Sequence, residues 1–215
     1  MTNSIKGPAL FLAQFLGDEA PFNSLADIVE WAAGLGYKGV QIPSWDARVF
    51  DLDKAASSKS YCQEIIETCA KHDVTITELS CHLQSQLVAV HPAYDTAFDA
   101  FAPEHLHGNP SARQEWAVVQ VTKVAQASQN LGLSGAVGFT GSLAFPSGNI
   151  RAIMDVVQRP AGLVEEAFSE LARRWKPILD IYDEAGVDFG FEIHPGEDVF
   201  DGTTFDRFLA ALENH

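Results

Sequence analysis

Two residues with usable chemistry stand two apart near the end of the sequence. They are Glu192 and His194, in the run Val187-Asp188-Phe189-Gly190-Phe191-Glu192-Ile193-His194-Pro195-Gly196-Glu197-Asp198. The run reads as a strand, because Val187, Phe189, Phe191 and Ile193 are β-branched or aromatic and alternate with other residues. Pro195-Gly196 ends it, since proline cannot donate to a ladder and glycine permits a turn. Positions two apart on a strand share a face, so Glu192 and His194 project together, with Gly190 on the same side. A carboxylate and an imidazole at the end of a buried strand are costly unless they are paired or used. The pattern suits a metal ligand or an acid/base pair, and a salt-linked pair at a strand end fits the same residues. Glu197 and Asp198, beyond the turn, read as solvated turn residues.

The elements that position this pair follow from periodicity. Pro8 to Leu16 is an apolar run that reads as strand 1. Ser24-Leu25-Ala26-Asp27 has the form of a capping box for a helix carrying Leu25, Ile28, Val29, Ala32 and Leu35, ended by Gly36. Lys38 to Pro43 reads as strand 2. A helix is expected over about Asp53 to His72, and strand 3 over Val74 to Leu79. A long polar connection follows from His82 to Pro110. Ser111 to Gln114 caps a third helix that runs to Leu131. Gly135 to Phe139 reads as strand 4, followed by a second long connection. A helix from about Leu163 to Tyr182 contains Pro177, which is expected to kink or divide it. Strand 5 is the Glu192 run, and Thr203 to Asp206 opens a last helix.

Strand–helix alternation leaves two architectures, an open doubly wound sheet or a (β/α)8 barrel. Polar residues collect after every strand: Gln14 near strand 1, Gln41, Ser44 and Trp45 at strand 2, His82 and Gln84 after strand 3, Thr140 and Ser142 after strand 4. Function drawn from many strand ends favours the barrel. Gly34 to Gly39 fits G-x-G-x-x-G as a string, but it lies between a helix and a strand. That is the reverse of the order a dinucleotide needs, so it reads as a helix end. Five strands use nearly the whole of 215 residues. Three more units would need roughly 100 residues at the usual barrel length. The expectation is therefore a single domain over residues 1–215 that holds about five βα units of a (β/α)8 TIM barrel, as part of a longer protein.

Bulk properties exclude several classes of function. The net charge is −15, which offers no cationic patch to nucleic acid or to anionic membranes. No apolar run is long enough to span a bilayer. The three cysteines, Cys62, Cys69 and Cys81, are an odd number without a CxxC. They read as buried reduced thiols of a cytoplasmic protein. His91, His105 and His107 sit in the long connection, and a solvated loop is the reading there.

The strand ends taken together resemble a known family. Gln14 in QF, GVQIPSWD (Gly39 to Asp46), ELSCHL (Glu78 to Leu83), GFTGS (Gly138 to Ser142) and FEIHPGE (Phe191 to Glu197) are similar to the sugar phosphate isomerase/epimerase family. This is the xylose-isomerase-like TIM barrel superfamily, and FEIHPGE is the most specific of these stretches. The resemblance implies a divalent-metal-dependent isomerase of a sugar, sugar phosphate or related polyol. The reaction would be proton abstraction next to a carbonyl through a metal-stabilised enediolate. It places Glu192 as metal ligand and acid/base, and His82 as a catalytic residue facing the substrate. Gln14, Gln41, Trp45, Thr140 and His194 are its substrate-binding candidates. For His82 a loop histidine satisfied by backbone is the competing reading, and for Trp45 a loop anchor. Hard oxygen ligands suit Mn²⁺, Mg²⁺ or Co²⁺, and an added histidine admits Zn²⁺. The family's further ligands, an Asp, a His and a Glu from later strands, would lie past residue 215. The resemblance implies a small-molecule partner and leaves a homo-oligomer open. A metal-dependent phosphodiesterase of the AP endonuclease branch and a non-catalytic sugar-binding or inactive fragment are the alternatives.

Overall fold

The computed structural model describes residues 7–144 and 162–213. The connection expected after strand 4 lies mostly outside the described residues. Among the described residues five short strands carry the fold: β1 (Ala9–Phe11), β2 (Gly39–Pro43), β3 (Thr75–Ser80), β4 (Gly135–Gly138) and β5 (Asp188–Phe191). They form one sheet in the order β1-β2-β3-β4-β5. The first three pairings are parallel, with one register irregularity between Val40 and Gln41. At β4 and β5, Asp188 N–H donates to Ser134 O and Glu192 N–H to Gly138 O, so these strands also run in one direction. The sequential order contains no reversal, which removes the switch point that a doubly wound sheet requires.

Side-chain caps set the helix limits. In α1 (Leu25–Gly34), Ser24 Oγ accepts from Asp27 N–H. The chain then turns at Gly36, whose φ of +92° is in the left-handed region. The G-x-G-x-x-G string is therefore a helix end, as expected. The helix expected over 53–72 is two helices, α2 (Leu52–Ser57) and α3 (Lys59–Ala70). Asp51 caps the first, and Ser58, in extended conformation, caps the second through Tyr61 N–H. In α4 (Pro110–Leu131) the cap is Asn109, whose Oδ1 accepts from Ala112 N–H, so Ser111 lies inside the helix.

α5 (Leu163–Ala185) runs through Pro177 without dividing. Pro177 and Arg173, four residues earlier, are both exposed, so water can satisfy the carbonyl that proline leaves without a donor. The buried stripe Phe168, Leu171, Trp175, Ile178 and Tyr182 spans the proline and keeps one axis. α6 (Gly202–Ala211) starts earlier than expected, because Asp201 and Thr204 form a reciprocal capping box. Strand 1 is shorter than its apolar run, which turns into a 3-10 segment at Ala13–Phe15.

The contacts divide the chain into two interleaved compact units. One holds the described residues of Met1–Cys81, Lys123–Val137 and Ala185–Asp188. The other holds those of His82–Thr122, Gly138–Glu184 and Phe189–His215. In the first, Ile28, Val29, Ala32, Val40, Ile42, Cys62 and Leu79 are fully buried. Asn130 of α4 is tied to it by donating to the Ala55 and Ala56 carbonyls of α2. In the second, Phe189 and Phe191 pack on Trp175 at 4.9 and 4.7 Å between ring centroids, and Phe191 packs on Phe208 at 5.1 Å.

The connection after β3 is not the polar solvated loop that its composition suggests. Gln84 to Val90 are all buried, and further along Arg113 of α4 is 1% exposed. Arg113 donates to Asp95 and Asp99 at 2.6 Å each and anchors that part of the connection.

Candidate functional site

The end of β5 is built by its aromatic residues. Phe189 and Phe191 face the helices, so Gly190 and Glu192 take the other side of the strand. β5 is only half-buried, and the Glu192 side chain is 48% exposed. The buried strand end expected from the apolar run is thus an open one. The buried partner comes from elsewhere in the chain. His82 opens a short helical turn, His82–Ser85, just past β3, and its side chain is 6% exposed. His82 Nε2 lies 2.9 Å from Glu192 Oε2, across 110 residues of sequence. His82 thus makes a direct contact with a carboxylate.

Burial holds the His82 imidazole below its ordinary pKa, against the pull of the Glu192 charge, and the neighbouring His194 pushes in the same direction as burial. A neutral His82 presents one N–H and one lone pair, and the Nε2–H tautomer donates to Glu192. Phe139, immediately past β4, packs on both imidazoles. Its ring lies edge-on to His82 at 4.4 Å and tilted on His194 at 4.7 Å. Phe139 N–H donates to Ser85 Oγ at 2.7 Å, which fixes the ring relative to the turn that carries His82.

Thr140 is fully buried, and its groups face the protein. Its hydroxyl accepts from Val199 N–H at 3.4 Å, and its carbonyl accepts from Trp175 Nε1 at 2.8 Å. Glu197 and Asp198, read from sequence as solvated, are 5% and 0% exposed. The reason is the segment they face, which turns several backbone N–H groups inward. Gly141 N–H donates to Glu197 at 2.6 Å. Leu143 and Ala144 N–H donate to Asp198 at 2.7 and 2.9 Å, and the Ser142 hydroxyl at 3.3 Å. Burial pushes the Glu197 carboxyl up to about 7, and the adjacent Asp198 charge adds to this against the Gly141 hydrogen bond. The one signal in the sequence was Gly141, a glycine at φ +83° where a Cβ would press into the Ala89 carbonyl.

Gln14, Gln41 and Trp45 belong to the other compact unit. There Gln14 is exposed, in the 3-10 segment after β1. Gln41 Nε2 donates to Glu78 Oε1 at 2.6 Å, pairing side chains of β2 and β3. Trp45 is half-buried and edge-on to Phe11 at 6.3 Å. The structure thus brings together His82, Glu192 and His194, with Thr140 in the segment behind them. His107 binds the Ala102 carbonyl through Nε2, and His105 is exposed. All three cysteines are buried thiols outside any disulfide, as expected.

Comparison with known proteins fits this architecture. The model of the xylose isomerase-like TIM barrel family matches residues 29–215, and the chain belongs to that family. No curated protein matches the sequence. Among solved structures, the probable 3-DHS dehydratase AsbF of Bacillus anthracis, involved in petrobactin synthesis, is 12% identical with a TM-score of 0.59. That alignment covers 97% of this chain and 60% of the other. A D-psicose 3-epimerase from Clostridium cellulolyticum H10, solved with D-tagatose, is 11% identical with a TM-score of 0.54, covering 97% and 60%. A xylose isomerase-like TIM barrel protein from Mycobacterium smegmatis, in complex with magnesium, is 13% identical with a TM-score of 0.58, covering 96% and 61%. The chain spans about 60% of the length of these proteins.

A divalent cation needs several donors converging on one point. Among the described residues no group of three or more His, Cys, Asp or Glu side chains does so. Glu192 can supply one such donor, and the described residues do not complete a shell around it. No helix among them is long and apolar enough to cross a membrane.

Proposed function

We propose that Glu192 and His82 form the proton-transfer centre of an isomerase or epimerase acting on a sugar, sugar phosphate or related polyol. The observation that carries this reading is the 2.9 Å contact between a buried imidazole past the end of β3 and a half-exposed carboxylate past the end of β5. Glu192 is open to a small molecule and has the oxygen to take a proton from carbon next to a carbonyl. Proton transfer of this kind needs a positioned base within hydrogen-bond reach. His82, kept neutral, orients that carboxylate through Nε2–H without adding a positive charge that would weaken it as a base. The exposed His194 is a substrate-facing donor or acceptor, and Thr140 of the same compact unit is a further proposed substrate contact. Thr140 would act through its backbone segment, because its side chain is buried. Glu192 would also be one ligand of a divalent cation, Mn²⁺, Mg²⁺, Co²⁺ or Zn²⁺. In this family such an ion would polarise the substrate oxygens.

A dehydratase is the second reading, favoured by the same geometry. Removal of a proton next to a carbonyl followed by loss of a β-hydroxyl uses the same base. Product analysis separates the two, because dehydration leaves an unsaturated carbonyl and isomerisation does not. The test of the shared step is Glu192→Gln. The amide has nearly the same size and cannot accept a proton at neutral pH. Turnover should fall about 10²–10⁴-fold with the fold retained. Turnover at the wild-type level in folded mutant protein would remove Glu192 from the reaction.

A further inference from the structure

The segment after β4 and the turn after β5 are stitched together more densely than chain connection requires. Asp198 accepts from Leu143 N–H, Ala144 N–H and the Ser142 hydroxyl, and its own N–H donates to Gly141 O at 3.0 Å. Glu197 accepts from Gly141 N–H, and Val199 N–H donates to Thr140 Oγ1. His194 N–H donates to Val199 O at 3.3 Å, so the same turn carries His194. The stitched segment begins at Phe139, whose ring packs on His82 and His194. Both carboxylates are buried, and both Asp198 oxygens and one Glu197 oxygen accept from this segment, which fixes its geometry.

We propose that Asp198, with Glu197 beside it, is a positioning residue for the His82–Glu192 pair, acting through segment 139–144 and the Phe139 ring. The proposal rests on reading that pair as the reacting centre. Asp198 is the stronger member, because its two oxygens take donors on both sides. In Asp198→Asn one oxygen becomes an NH₂ group that faces an N–H donor, so at least one of these bonds is lost. The segment then loosens, and the ring no longer fixes His82 against Glu192.

The test is nitrogen NMR of the His82 imidazole in wild type, Glu192→Gln and Asp198→Asn, with backbone amide signals recorded alongside. Glu192→Gln marks where the His82 signals go when the carboxylate is lost. In folded Asp198→Asn the His82 signals are expected to move toward those positions, together with the amides of Leu143 and Ala144. His82 signals that stay in place while these amides move would overturn the proposal and leave Asp198 with a purely local structural role. If Asp198→Asn does not fold, Ser142→Ala removes one donor to the same carboxylate. It should move His82 in the same direction by a smaller amount, and unmoved His82 signals with shifted Leu143 and Ala144 amides would again overturn the proposal. The readout does not depend on turnover. A wild-type protein without isomerase or dehydratase activity would sink the functional reading while this comparison still reported on the clamp.

Discussion

Glu192 was legible from sequence because its type, its place at a strand end and the turn behind it all agreed. Its partner was less so, since no short-range pattern joins residues 82 and 192, and only their shared place past strand ends suggested it. Glu197 and Asp198 were misread for a physical reason. A carboxylate after a Pro-Gly turn is normally solvated, and what buries these two is a set of backbone donors from a segment 55 residues away. Burial of Glu197 has a consequence for pH. Its carboxyl is raised from 4.5 to about 7, so between these values the folded state binds the proton more tightly than the unfolded chain. The stability gained is fully present below about pH 4.5 and is lost as pH rises through about 7, a change on the order of 3 kcal/mol. Glu197→Gln should flatten that limb in denaturant titrations run across the window, and an unchanged pH profile would contradict the assignment. His82 works in the opposite sense. Its lowered pKa means that the unfolded chain takes up the proton first, so its contribution is lost as pH falls below about 6.5.

At the scale of elements, strand and helix order followed from apolar periodicity, while boundaries followed from caps that composition only partly reveals. Ser58 divides a helix that the apolar pattern alone would continue, and Asn109 rather than Ser111 starts α4. Pro177 left α5 intact because its carbonyl partner faces solvent and the apolar stripe spans it. The connection from His82 to Pro110 was the largest misreading, because its polarity hid a buried ion-pair anchor. Arg113 is placed against Asp95 and Asp99 with side chains 26% and 13% exposed. Arg113→Ala would leave two carboxylates without their cation and should cost about 3–5 kcal/mol in denaturant unfolding. Arg113→Lys should recover only part of this, since one ammonium cannot reproduce the forked geometry. A loss below about 1 kcal/mol for the alanine variant would show that water replaces the guanidinium at little cost.

At the scale of the whole molecule, sequential parallel pairing and the family match define a xylose isomerase-like TIM barrel chain, of which five strands are described. The sequence showed this through polar residues collecting after the strands. It did not show which of them meet, because that depends on register and on the turns that follow. The thiols belong to this scale too. Cys62, Cys69 and Cys81 are buried, and burial alone pushes Cys69 up to about 12. They should stay unreactive toward Ellman's reagent in native protein and react on unfolding. The 215-residue chain should bind Mn²⁺ weakly in calorimetry, because among the described residues no group of three or more ligating side chains surrounds Glu192 and a stable shell needs several donors. Tight stoichiometric binding would reveal ligands other than those assigned. The central claim, that Glu192 held by His82 removes a proton next to a carbonyl, is tested most directly by solvent deuterium incorporation. Ketoses and ketose phosphates would be incubated with the protein and a divalent metal in heavy water and followed by proton NMR. The account predicts deuterium at the carbon beside the carbonyl with wild type, and at least about 100-fold slower incorporation with folded Glu192→Gln. Equal rates for the two proteins would contradict it.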